Sequence, residues 1–175
     1  MDALAQNLTG VIVEMALKMG LSRAPLSLNY PCASLARMLG VPAGPQAVKA
    51  ALDAFFAART GLFGAVQVEA HEDGFCLTIP AEGVARAVSQ APAAAFLRDL
   101  IHTAQLPGAT AEDLLAAFRR HSSHVHVEPV DNDEFDWLVY FEDGVPDDFR
   151  YCIDTHDGFA SYHRFSREDY EAFGF

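Results

Sequence analysis

The hydrophobic period changes along this chain, and that change constrains the fold more than any other feature. Over most of residues 4–118 apolar side chains recur at intervals of three and four, and over residues 125–165 they recur at intervals of two. The first spacing builds helices with one buried stripe; the second builds strands with one buried face. The two patterns are segregated rather than alternating unit by unit, so an α+β fold is expected in place of a βαβ sheet.

In the first half, Leu4, Leu8, Val11, Ile12, Met15 and Met19 share one face of an opening helix, with Asp2 as its cap and Gly20 as its stop. Leu26 to Tyr30 alternates as a short strand. Pro31 then suits the first turn of a second helix carrying Leu35, Met38 and Leu39. Gly40 to Gly44 reads as a turn, and a third helix from Pro45 to Arg59 buries Val48, Leu52, Phe55 and Phe56. Val66 and Val68, then Glu72-Asp73-Gly74, then Phe75, Leu77 and Ile79 make a hairpin signal. This is the element order of a winged helix, with the third helix in the recognition position and Glu72-Asp73-Gly74 at the wing tip.

In the second half, Val84 and Val88 mark one helix and Phe96, Leu97, Leu100 and Ile101 another, beginning near Pro92. Thr110 with Asp113 three residues on approximates a capping box before Leu114, Leu115 and Phe118. Four strands follow, around Val125–Val127, Phe135–Phe141, Phe149–Ile153 and Phe159–Phe165, with Asp157-Gly158 as a turn. They predict an antiparallel meander with one buried face. Ser166 and Asp169 cap a terminal helix that turns Tyr170 and Phe173 inward. The expected organisation is a winged-helix-like helical subdomain with a β-hairpin over residues 1–90, then a helix pair and an antiparallel meander closed by a short helix over 91–175, the two forming one compact unit.

Charge narrows the partners. The chain holds 24 acidic and 12 basic residues, but residues 128–157 alone hold 11 acids against one base, Arg150. Residues 1–127, with 10 acids and 9 bases, are close to balance. The expected partner surface is therefore local, formed by Asp131, Asp133, Glu134, Glu142, Asp143, Asp147 and Asp148, and its expected partner is a basic protein. Nucleic acid is disfavoured, and the wing tip His71-Glu72-Asp73 would itself repel phosphate. No apolar run approaches the ~20 residues of a membrane span, no basic leader precedes the first apolar run, and an anionic lipid surface is disfavoured by charge. Cys32, Cys76 and Cys152 are odd in number and widely spaced without a C-x-x-C, which points to a reducing cytoplasm and away from disulfides or thiolate zinc.

Three constellations could carry chemistry. His124, His126 and Glu128 would share one face of a strand and have the donor types of a zinc or ferrous site. Three positions on one strand form a row, however, so a divalent metal would need a ligand from another element, and no cofactor is otherwise expected. Cys32 near a helix N-terminus could be a nucleophile with His71 or His163 as base, and Cys152 and His163 join His124, His126 and Glu128 as candidates for an enzyme on the polar face of the C-terminal sheet. Asp131-Asn132-Asp133-Glu134 begins like a calcium loop but lacks its glycine and terminal glutamate, so it reads as a turn. No P-loop, G-x-G-x-x-G, G-x-S-x-G or H-E-x-x-H occurs.

Tyr140-Phe-Glu-Asp-Gly-Val-Pro-Asp-Asp-Phe-Arg-Tyr-Cys152, Tyr162 to Tyr170, Phe118 to Glu128, Leu28-Asn-Tyr-Pro31 and Ile79-Pro-Ala-Glu-Gly83 together resemble a family of uncharacterised bacterial proteins of about this length, a domain of unknown function, over nearly the whole chain. The resemblance implies a bacterial cytoplasmic protein and brings no catalytic residues with it. The expectation is accordingly a non-enzymatic interaction or regulatory protein with an acidic C-terminal surface. The alternatives are a metal-dependent or cysteine enzyme on the polar face of the C-terminal sheet, and a DNA-binding regulator.

Overall fold

A computed structural model describes residues 3–20, 23–130, 134–156 and 158–173. The chain divides into two compact units, Met1–Ala91 and Pro92–Phe175. The expected cap Asp2, the turn residue Asp157 and the side chain of Phe173 lie outside the described residues, as do Asp131, Asn132 and Asp133.

The first unit runs α1 (Ala3–Met19), β1 (Leu26–Pro31), α2 (Cys32–Leu39), α3 (Pro45–Ala57), α4 (Thr60–Phe63), β2 (Gln67–Ala70), β3 (Gly74–Ile79) and α5 (Ala81–Gln90). The strands form an antiparallel sheet in the order β1-β3-β2, with the β2–β3 hairpin following α4. Leu4, Leu8 and Ile12 of α1, Leu35 of α2, Leu52 of α3 and Leu77 and Ile79 of β3 are fully buried in one core. Gly40 ends α2 in the left-handed region at φ 67°, where its N–H donates to the carbonyls of Ala36 and Arg37.

Two expectations shift here. Pro31 closes β1 and caps α2 from outside, because its extended backbone (ψ 142°) continues the strand pairing with Gly74. The third helix stops at Ala57, and the separate turn α4 carries Phe63 into the core against Phe55 and Phe56, with ring centroids 6.2 and 5.9 Å away.

The second unit runs α6 (Ala94–Ala104), α7 (Ala111–His121), β4 (Val125–Pro129), β5 (Trp137–Phe141), β6 (Arg150–His156), β7 (Phe159–Phe165) and α8 (Arg167–Phe173). Its strands are antiparallel in the order β4-β5-β6-β7, the expected meander. Thr110 caps α7 through a full capping box, accepting from the Asp113 N–H while the Asp113 carboxylate accepts from the Thr110 N–H at 2.9 Å. Asp99 ties α6 to α7 by accepting from Arg120 through both oxygens at 3.0 Å, and that hydrogen bonding holds the Asp99 carboxyl below its usual range. Phe96 and Phe118 of this helix pair pack on Phe141 and Tyr151 of the sheet, with centroids 4.9 Å apart in each case.

The expectation of one buried face is corrected. Leu138 and Cys152, which face each other across β5 and β6, are out of phase with Val139 and Tyr151, yet they too are buried. With Phe135 they form a second small core, closed by Val130, Tyr140, Phe165 and Tyr170 of α8. The sheet is thus covered on both faces, by the α6–α7 pair on one and by α8 on the other. Among the described residues no helix is long and apolar enough to cross a membrane.

Candidate functional site

Register decides which chemistry-bearing side chains meet. His126 pairs with Tyr140 and Glu128 with Leu138; Leu138 pairs with Cys152, Cys152 with His163, and Arg150 with Phe165. Alternate residues share a face. His126, Glu128, Tyr140, Arg150, Cys152 and His163 therefore project from the α8 side of the sheet, and four residues singled out from the sequence come to one face.

They do not form one constellation. The His126 ring stacks on Tyr140 at 4.6 Å, its Nε2 lies 3.1 Å from the Glu128 carboxylate, and its Nδ1 lies 3.9 Å from Glu142. Both imidazole nitrogens thus face carboxylates. His163 packs beside Phe135, with centroids 5.3 Å apart. Cys152 is fully buried, and desolvation pushes its thiol up to about 11, which removes the thiolate a nucleophile needs. His124 lies just before β4, mostly exposed, with Nδ1 3.3 Å from Asp143. The Val145 N–H and then His124 hold the Asp143 carboxyl below its usual range. Among the described residues no three of His, Cys, Asp and Glu converge as a metal site.

The acidic residues sort into three environments. Glu128, Glu142 and Asp143 gather where β4 meets β5, with side chains 51%, 59% and 46% exposed. Glu134 is also exposed, and Asp148 is partly exposed and reaches Arg167 at 3.4 Å. Asp147, expected on the partner surface, is instead buried. Its carboxylate accepts from Arg164 Nε at 2.9 Å and Nη2 at 3.0 Å, and from the Tyr151 hydroxyl. Tyr151 comes from the adjacent strand, and the Arg164 guanidinium lies 3.5 Å over the Phe149 ring. A carboxylate with three donors and an aromatic cover stays inside; the same residue without them would turn to water.

Sequence reasoning missed Tyr140 and the use made of Arg150. Arg150 lies 3.9 Å over the Tyr140 ring, burial depresses its pKa, and its Nη1 is buried without a hydrogen-bond partner. Arg150 makes no ion pair with any described carboxylate, so the single base of residues 128–157 leaves the β4–β5 acids unneutralised. The available signal was its even position on the strand, in phase with Cys152 rather than with Tyr151.

In the first unit, Cys32, His71, Glu72 and Asp73 line a cleft of about 350 Å³ beside the β2–β3 turn, and the Cys32 N–H donates to the Asp73 carbonyl at 3.1 Å. On α3 the outward Lys49 is paired with Asp53 at 2.6 Å.

What these units and this face define is an α+β protein with exposed carboxylates, Glu128, Glu142 and Asp143, along the β4 edge of its C-terminal sheet. The chain belongs to the family described as "Domain of unknown function, E. rectale Gene description (DUF3877)", whose model matches residues 1–174. No curated protein and no solved structure matches it.

Proposed function

We propose that this protein is a non-enzymatic interaction or regulatory protein that receives a basic partner where β4 meets β5. One observation supports the reading most. Glu128, Glu142 and Asp143 stand about half exposed, and among the described residues the side chains set against them are His124 and His126, with no lysine or arginine. Carboxylates left this way gain from a cation supplied in trans, and the gain is screened by salt. Against an enzyme on the same face stand the buried, proton-retaining Cys152 thiol and the engagement of both His126 nitrogens. Against a DNA-binding regulator stand the acidic wing tip and the Lys49–Asp53 pair on α3. The three free cysteines suit a reducing compartment, and we assign the protein to the cytoplasm.

The test is titration of the whole chain into a labelled lysine-rich peptide at low ionic strength and again at about 0.15 M salt. Binding is expected at low salt, weaker at high salt, and lost when Glu142→Lys and Asp143→Lys are combined. Equal binding by the wild type and this double variant would remove the acidic surface as the cause.

A further inference from the structure

We infer that β4 takes its basic partner as an added strand: an extended segment with a lysine or arginine at every second residue, paired with the outer edge of Val125–Pro129. The inference rests on the basic-partner reading and specifies how that partner is held.

The backbone carries the argument. In the β4–β5 ladder the His124 carbonyl accepts from the Glu142 N–H at 2.9 Å, and the Val130 N–H donates to the Asp136 carbonyl at 3.0 Å. In an antiparallel pair the residues that hydrogen-bond to the neighbour alternate with residues whose N–H and C=O point away. The even residues 124–130 therefore spend both groups on β5. The N–H and C=O of Val125 and Val127, and the C=O of Pro129, point outward. Among the described residues none is hydrogen-bonded to these groups. The opposite edge of the sheet differs, because the Ala160 N–H of β7 is taken by the Ala109 carbonyl at 3.0 Å.

Edge strands are commonly blunted by charged side chains, lysine above all, by proline, by a bulge or by a covering loop. β4 carries histidine and glutamate in place of lysine, and its register with β5 is unbroken from Val125 to Pro129. Pro129 lacks an N–H and so marks where added pairing ends. Strand addition to such an edge draws affinity from the main chain and selectivity from alternate side chains.

Those alternate positions describe the occupant. Added side chains beside His126 and Glu128 lie on the face that carries Glu128, with Glu142 and Asp143 at the start of the same strand pair; cations belong there. Added side chains beside Val125 and Val127 meet half-buried valines on the other face, where apolar residues belong. A second copy of the chain would bring further carboxylates and no lysine or arginine to this edge, since β4 itself carries none, so charge favours a basic segment over self-pairing.

The probe is a labelled, end-blocked hexapeptide of alternating valine and lysine, followed by anisotropy with the whole chain. Val127→Pro removes one outward N–H and leaves the β5 hydrogen bonds in place, a position where an edge strand tolerates proline. It is expected to weaken binding about tenfold or more, the worth of a net hydrogen bond or two. Two further peptides leave the protein untouched, one N-methylated at every valine and one at every lysine. In either strand direction just one set of peptide amides points at β4, so one methylated peptide should lose binding and the other keep it. If Glu142→Lys/Asp143→Lys abolishes binding while Val127→Pro and both methylated peptides behave like their parents, the basic-partner reading survives and strand addition is overturned. If the charge variant binds normally, the partner reading itself falls. A peptide-free dimer that Val127→Pro dissolves would overturn the basic segment in favour of a second copy.

Discussion

A guanidinium with 1% of its side chain exposed must have its donors answered inside the protein. Arg164 does this with Asp147, itself 6% exposed, in a two-pronged pair that Tyr151 joins and Phe149 covers. Breaking one half of such a pair strands a buried charge, which costs about 3–5 kcal/mol, whereas removing both halves costs less because nothing is stranded. Arg164→Leu alone and Asp147→Leu alone are each expected to lower the unfolding free energy of the second unit by about 3–5 kcal/mol, and the double variant by less than the sum of the two. Urea unfolding measures all three. Single costs below about 1 kcal/mol would mean that the pair is solvated in solution. Sequence could not reveal this site. Val145-Pro146-Asp147-Asp148 has the composition of an exposed turn, and the partner of Asp147 lies 17 residues away on β7.

The elements were more legible than their contacts. Long helices and strands announce themselves because one face must be apolar, so the stripes on α1, α3 and α7 and the alternation in β3 to β7 carry their own period. The turn α4 does not, because four residues hold too little of a period. The second core under α8 was written in Leu138 and Cys152, whose phase opposes that of their strands, but what covers them follows from tertiary packing alone. Of the candidate site, the shared face of His126, Glu128, Cys152 and His163 followed from alternation, while the burial that silences Cys152 did not.

Gly83 shows how tightly two of these elements meet. Glycine within a helix ordinarily gives up about 1 kcal/mol relative to alanine. In α5, however, a Cβ at Gly83 would lie 2.0 Å from the Phe63 carbonyl oxygen and 2.6 Å from its carbon, both backbone atoms of α4. Gly83→Ala should therefore destabilise the first unit by about 1–3 kcal/mol, reversing the sign that helix propensity alone gives. Thermal unfolding decides it, since a gain in stability would show that α4 does not pack there.

Over the whole molecule, charge is divided as unevenly as structure. The unit Met1–Ala91 holds 7 acids and 6 bases, and the unit Pro92–Phe175 holds 17 acids and 6 bases. A compact unit of this size has a radius of gyration near 12 Å. The Debye length is ~30 Å at 0.01 M salt and ~8 Å at physiological strength. At low salt every carboxylate of the second unit feels every other, and the excess of acids opposes compactness; at physiological salt only neighbours interact. Self-repulsion of this kind weakens the folded state relative to the expanded chain. Residues 92–175 prepared alone should accordingly melt at a temperature that climbs as sodium chloride rises from about 0.01 to 0.15 M, while residues 1–91 should shift little over the same range. Equal shifts in the two fragments would mean that salt acts through general hydration, and that the clustered carboxylates are already offset by contacts within their own unit.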